Sequence, residues 1–460
     1  MNIISLLNTV DQWLWGYILI FLLVGVGLYL TVRLKGMQFR YFGYSLKLAF
    51  TRKDEEAQGD ISQFQSLMTA MAATMGIGSI AGVSTAIVAG GFGAIFWMWV
   101  IALVGMVTKF AEALMAVKYR MTDPKGQMCG GPMYYIAHGL KWKWLAVLFA
   151  VCGSLSAFAG GNLIQANSIA LAIQDMVHLD PMWTGLFFML ITGVVLLGGI
   201  KSIGKLSSYL VPIMALLYIS GGVWILLYHF DRIPQAFYSI IHSAFNGQAA
   251  LGGFLGASVM VAIQFGVARG VSSNEAGLGS APIASAAAKT DVPGRQAMIS
   301  MSGVFLSSFV VCTMTALVIY VTGVLGMTGS DGKILNGSLL VMEAFQSVIP
   351  GGNLVVALAL VLFGYTTIVG WAYYGEKCIE FLAGERFIRV YRILFTLFVF
   401  LGAILSFEIV WPLADIMNGL MALPNLIGLI GLSSIIAVEA EGFFDLLDKE
   451  KRQKQSMQLY

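Results

Sequence analysis

The chain has 460 residues, of which 58% are hydrophobic and only 11% charged. A soluble domain carries about 25% charged residues, so a water-facing globule is excluded. The net charge of +3 is dispersed over short loops and excludes a nucleic-acid partner; the expected surroundings are a lipid bilayer.

Eleven apolar segments are long enough to cross roughly 30 Å of hydrocarbon, so the predicted class is an all-α polytopic membrane protein. They run approximately 13–33, 64–90, 93–117, 144–174, 182–200, 207–229, 251–272, 297–325, 354–378, 388–407 and 411–438. The runs are continuous rather than alternating, which argues against membrane strands. The first lacks a basic leader and an Ala-x-Ala site and reads as a retained helix rather than a signal peptide. With the N-terminus outside and the C-terminus cytoplasmic, 23 of the 27 Lys and Arg residues fall in inside loops and two, Arg232 and Lys333, outside. That is the positive-inside pattern. Setting aside 13–33 as an extra helix leaves five spans in 64–229 and five in 251–438, followed by a cytoplasmic tail, 439–460. Two odd-numbered halves enter the membrane in opposite directions, the arithmetic of an inverted repeat in a single transmembrane domain.

The second span reads Ala72-Ala73-Thr74-Met75-Gly76-Ile77-Gly78-Ser79-Ile80-Ala81-Gly82. Each glycine costs a helix about 1 kcal/mol relative to alanine, so Gly76 and Gly78 predict a break near mid-membrane. Freed N–H groups of Ile77, Gly78 and Ser79 would suit a carboxylate, and freed carbonyls of Ala72, Thr74 and Met75 a cation or an ammonium group. The same glycines also support a packing reading, since Gly78 and Gly82 form GxxxG. On the third span, Lys109 and Glu112 are expected to pair locally near the inner face. On the fourth, Asn162, Gln165 and Asn167 either line a pathway or join helices.

The seventh span carries Gln264-Phe265-Gly266-Val267-Ala268-Arg269-Gly270, which predicts a second interruption with polar lining. Arg269 and Glu275 are expected either to pair as an inner gate or to reach separately for the interface. In the ninth span, the hydroxyls of Thr366 and Thr367 fit an alkali cation, or bond their own helix carbonyls. Trp371 caps a small pocket or packs. Asp415 and Asn418 begin the last span at its outer end, within reach of solvent. No acid is placed mid-membrane in the two broken spans, which leaves a substrate ammonium to carbonyls. Cys129, Cys152, Cys312 and Cys378 lack paired metal spacing and read as free thiols. With no phosphate-binding GxxxxGK[ST], no His/Cys cluster and no serine triad, an enzyme is not expected, and no cofactor is called for.

These motifs resemble the alanine or glycine:cation symporter family of bacteria and archaea (sodium:alanine symporters) over essentially the full length. The likeness rests on Gly90-Gly91-Phe92-Gly93-Ala94-Ile95-Phe96-Trp97-Met98-Trp99, Gly105 to Glu112, Gly130-Gly131-Pro132-Met133-Tyr134-Tyr135, Gly161 to Ser168, Ser273 to Pro282 and Gly370 to Glu376. The resemblance implies the leucine-transporter fold, five plus five helices in inverted repeat behind one extra helix, in a prokaryotic cytoplasmic membrane. By similarity, substrate meets Ile77, Gly78 and Ser79, the stretch Gln264, Phe265 and Gly266, and Trp371. Thr74, Gly76 and Gln165 complete that expected substrate set. Sodium would sit among Ala72, Met75, Phe363, Thr366 and Thr367. The family usually reads Gly-Thr-Gly-Asn where this chain has Gly76-Ile77-Gly78-Ser79, so the backbone donors survive while a hydroxyl and an amide are lost. Such a loss shifts specificity by about 1–3 kcal/mol or more. The expected function is sodium-coupled import of a small neutral amino acid, alanine or glycine, with a proton-coupled carrier of a related solute as the alternative.

Overall fold

The computed structural model describes residues 3–51, 57–246, 258–329 and 332–457. Residues 251–257, which the sequence assigns to the seventh span, and Arg52 and Lys53 of the first inside loop lie outside them. Among the described residues, eight helices are long and apolar enough to cross a membrane. They are α1 (Ile4–Arg33), α4 (Gly93–Lys118), α5 (Lys143–Val177), α7 (Gly199–Tyr228), α10 (Pro293–Thr322), α11 (Gly352–Ala383), α12 (Glu385–Ile404) and α13 (Glu408–Gly431). The second span is two helices, α2 (Gln63–Thr74) and α3 (Ala81–Gly90); the seventh is likewise α8 (Val259–Asn274) and α9 (Ala281–Ala286). The fifth is the 17-residue α6 (Pro181–Leu197), and a tail helix, α14 (Ser433–Met457), closes the chain. The shortfall from eleven long helices thus has physical causes: two spans are broken and one is brief.

Local sequence sets the helix starts. Ser62 and Gln65 form a reciprocal capping box at α2, each side chain bonding the other's backbone N–H at 3.1 Å. Asp180 caps α6 ahead of Pro181, and Ser258 caps α8. Packing does the rest. Helices α8 and α10 lie against α4, and α11 against α5, around an apolar interior of mostly small and aliphatic side chains. By contrast α6 and α7 turn large apolar side chains outward, with Leu197 81% and Val194 70% exposed, as a lipid-facing surface requires. All four cysteines are free thiols.

The ends of the two broken helices are tied together. Ile61 and Ala288 form a parallel bridge; Asp60 N–H donates to the Ala287 carbonyl at 2.9 Å and Lys289 N–H to the Ile61 carbonyl at 2.8 Å. Arg120, just beyond α4, clamps this junction. Its guanidinium donates to the carbonyls of Ala286 (3.2 Å), Ala288 (2.7 Å), Gln58 (2.9 Å) and Thr290 (2.7 Å). Beside it the hairpin β1 (Met121–Thr122) and β2 (Met128–Cys129) turns through Asp123, whose Oδ1 accepts from the N–H groups of Lys125 and Gln127.

Candidate functional site

The second span breaks where its glycines predict. Helix α2 stops at Thr74, Gly76 is extended (φ −95°, ψ −157°), and a single tight turn, Ile77–Ser79, leads into α3. Ser79 N–H is used by the Gly76 carbonyl at 3.2 Å, so the freed donors are Ile77 and Gly78. On the other side, no backbone N–H reaches the carbonyls of Thr74 and Met75 among the described residues. The carbonyl of Ala72 accepts instead from Thr367 Oγ1 at 2.9 Å. A Cβ on Gly76 would lie 2.6 Å from that hydroxyl, so glycine is what lets α11 approach.

The seventh span breaks later than expected. Helix α8 runs unbroken through Gln264, Phe265, Gly266 and Gly270 to Asn274. Its glycines serve close packing: a Cβ on Gly266 would meet Trp97 at 2.7 Å, and one on Gly270 would meet Ile101 at 2.6 Å. The interruption is at 275–280, where Glu275 is left-handed (φ 55°) and Gly277 and Gly279 take φ of 90° and 80°. Lys109 and Glu112 brace this break rather than each other. Lys109 Nζ donates to the Asn274 carbonyl at 2.9 Å, at the negative end of α8. Glu112 Oε1 accepts from the N–H groups of Gly277 (3.0 Å) and Gly279 (3.1 Å) and from the Asn425 amide (2.6 Å). The expected local ion pair is therefore replaced by a charge-matched splint across the gap.

Both breaks open on one enclosed cavity of about 30 Å³, room for about two waters. Of the expected substrate residues, Thr74, Gly76, Ile77, Gly78, Gln165 and Trp371 line it. Thr74 Oγ1 turns back to the Ala70 carbonyl, and Gln165 Oε1 is buried without a hydrogen-bond partner among the described residues. Ser79 points away, its hydroxyl 3.0 Å from that of Ser273. Gln264, Phe265 and Gly266 are not in the lining; Ser272 and Glu275 take their place. The lining therefore contains carboxylates that the sequence reading placed elsewhere, Glu275 and Asp415. Glu275 Oε2 accepts from Ser280 Oγ at 2.8 Å, so it does not pair with Arg269. Asp415 and Asn418 are buried, not in solvent. Arg269 bonds Asp415, and the Asn418 amide oxygen accepts from Ser156. A widened turn at Ala159–Leu163 in α5 brings Gly160 to the cavity, and a Cβ on Gly161 would collide with Trp371. Asn162 and Asn167 join helices, donating to the carbonyls of Phe395 in α12 (2.7 Å) and of Leu405 just past its end (2.6 Å).

Next to the cavity lies a cluster of oxygens. Thr366 and Thr367 hydroxyls donate to the Phe363 carbonyl at 3.0 and 2.8 Å, and Thr367 also reaches the Ala72 carbonyl of the broken span. Uncharged oxygens from two helices suit an alkali cation. Met75 is buried beside them. Elsewhere, Asp123, Cys129 and Glu380 group as metal ligands could. There the ammonium of Lys377 stands among them, 2.8 Å from Glu380 Oε2 and 3.3 Å from Cys129 Sγ, and supplies the positive charge itself.

A second cavity, about 820 Å³, opens at the end of the bundle opposite the Lys/Arg-rich loops, near Gln174, His178 and Glu343. Trp411 lines both cavities. Together these features define a membrane transporter with an internal site between two interrupted helices. The family model of the sodium:alanine symporter family matches residues 1–458, and the chain belongs to that family; it is not an enzyme. It is 50% identical over 457 residues to the sodium/alanine symporter AgcS of Methanococcus maripaludis, covering 98% of this chain and 100% of that protein. It is 36% identical to the probable sodium/glutamine symporter GlnT of Bacillus subtilis, covering 92% and 87%. Among solved structures, MhsT in complex with L-phenylalanine superposes with a TM-score of 0.60 at 15% identity, covering 84% of this chain and 93% of that one. At that identity the likeness concerns the fold, which is the expected leucine-transporter type.

Proposed function

We propose that the protein imports a small neutral amino acid, alanine or glycine, together with sodium by alternating access. The observation that carries this reading is the meeting of the α2–α3 break and the α8–α9 break at one small cavity, with the Thr367 hydroxyl bonded to the broken span beside it. The substrate carboxylate takes the Ile77 and Gly78 N–H groups at the positive end of the short turn. Its ammonium faces the Thr74 carbonyl and Glu275. Sodium takes the oxygens of Ala72, Met75, Phe363, Thr366 and Thr367. The alanine named for the Methanococcus relative supports a small substrate. Ser79, turned toward Ser273, has little part in selecting substrate, so its departure from the family's usual Asn matters less than Ile77.

On this reading eleven crossings divide into an extra helix and two inverted repeats, 64–229 and 251–438, each opening on an interrupted helix. The N-terminus is outside, and the large cavity beyond Trp411 is the outer vestibule. One sodium ion crossing 100 mV supplies roughly 2.3 kcal/mol beyond its own gradient. A second reading, proton coupling, draws support from Glu275 and Asp415 in the lining. Uptake of labelled alanine into proteoliposomes separates the two. Accumulation is expected under an inward sodium gradient at equal pH; accumulation indifferent to sodium and driven by a pH gradient overturns the first reading in favour of the second.

A further inference from the structure

A wide groove lies apart from the internal site. It holds about 1150 Å³ between α6 and α12 at the Lys/Arg-rich end of the bundle. Its walls are apolar and outward-facing: Leu190 is 59% exposed and Leu197 81% on α6, and Ile393 is 58% exposed on α12. Gly193 keeps the wall low where the two helices meet, since a Cβ there would already touch the Thr396 side chain of α12 at 3.5 Å. The rim is of opposite character. Arg386, Arg389 and Arg392 recur every third residue and line the same groove.

The rim acids are already engaged. Glu376 receives Arg392 in a two-point contact at 2.6 and 2.9 Å, Glu385 receives Lys125 at 2.8 Å, and Asp123 bonds backbone N–H groups. Arg386 and Arg389 are exposed and have no carboxylate partner among the described residues; Arg386 rests over the Phe387 ring at 5.1 Å. Two uncompensated guanidinium groups thus stand directly above an apolar trough that opens sideways into hydrocarbon.

We infer that this groove is a binding site for an anionic phospholipid. The headgroup phosphodiester takes Arg386 and Arg389, and an acyl chain lies along Leu190, Gly193 and Ile393. A free anion makes no use of the apolar walls, and a soluble protein cannot reach walls at membrane depth.

Native mass spectrometry of the purified full-length protein tests this with phosphatidylglycerol and phosphatidylcholine as probes. One phosphatidylglycerol is expected to stay bound where phosphatidylcholine does not. Removing both charges, in Arg386→Gln/Arg389→Gln, is expected to weaken retention by roughly tenfold or more. Gly193→Leu, which fills the trough and leaves the charges, is expected to weaken it as well. The site is overturned if the double variant keeps phosphatidylglycerol as well as the parent does, if the parent holds phosphatidylcholine equally, or if Gly193→Leu changes nothing. Displacement of the lipid by inorganic phosphate alone would also overturn it, as the mark of a free-anion site.

Discussion

Arg269 and Asp415, 146 residues apart in sequence, meet fork to fork, Nη1 on Oδ1 at 3.0 Å and Nη2 on Oδ2 at 2.8 Å. The Trp411 ring lies 5.1 Å from the guanidinium, and Trp15 Nε1 of α1 donates to the Asp415 backbone carbonyl at 3.0 Å. This assembly stands between the small cavity and the large one, so it has the position of a gate. Removing one partner of a buried pair costs about 3–5 kcal/mol, whereas replacing both by apolar residues is often neutral. Asp415→Ala is therefore expected to lower the melting temperature and abolish uptake. Arg269→Met/Asp415→Leu is expected to recover the melting temperature but not uptake; full recovery of both would deny the pair any gating role.

Thr367 touches two helices at the proposed sodium site, bonding the carbonyls of Phe363 and Ala72. Thr367→Val keeps the shape and deletes the oxygen. The sodium concentration for half-maximal uptake should rise roughly tenfold, the order of one lost polar partner, while substrate saturation at high sodium changes little. A sodium titration of alanine uptake decides it, and an unmoved midpoint removes Thr367 from the ion site.

Glu112 holds the α8–α9 break by accepting from Gly277, Gly279 and Asn425. Glu112→Ala leaves the buried N–H groups of Gly277 and Gly279 without a partner, at about 1–3 kcal/mol each, and the Asn425 amide with only the Gly277 carbonyl. We expect a large fall in thermal stability in detergent, partly restored by Glu112→Gln, which keeps an acceptor. Equal stability of all three proteins would contradict the splint.

Burial pushes the Cys129 thiol, in the hairpin beyond α4, up to about 12, although Lys377 nearby favours the thiolate. At neutral pH it should carry roughly a thousandfold less thiolate than an ordinary cysteine at 9.0. The thiolate fraction grows as pH rises toward that value, so maleimide labelling of Cys129 should be negligible at pH near 7 and climb steeply in alkali. Rapid labelling of Cys129 at neutral pH, read by peptide mass mapping, would show that the hairpin opens.

The second span's break was legible because Gly76 and Gly78 fall one residue apart in the middle of a run that is otherwise long and uncharged enough to span. The seventh span misled for the same reason. Gly266 and Gly270 look like helix breakers, yet they exist so that Trp97 and Ile101 can come close. The real interruption, at Gly277 and Gly279, reads as an ordinary loop beyond a span. On that account Ser272 does not stand out, and Glu275 reads only as a gate partner for Arg269. Long-range partnerships were invisible too: Lys109 and Glu112 satisfy an i, i+3 rule, but their bonds go to Asn274 and Asn425 on other helices and to Gly277 and Gly279 in the break. The Gly-x-Gly pair Gly277-Leu278-Gly279, the same spacing as Gly76-Ile77-Gly78, is the signal that could have placed the break.

The guanidinium of Arg120 grips carbonyls from both sides of the junction between residues 58–61 and 286–290. Tilting the lower half of one interrupted rod must then drag its counterpart along, like two oars lashed at the handle. Unsealing that end of the bundle is accordingly a single concerted stroke about α4, and a covalent strap joining the two segments should leave turnover intact.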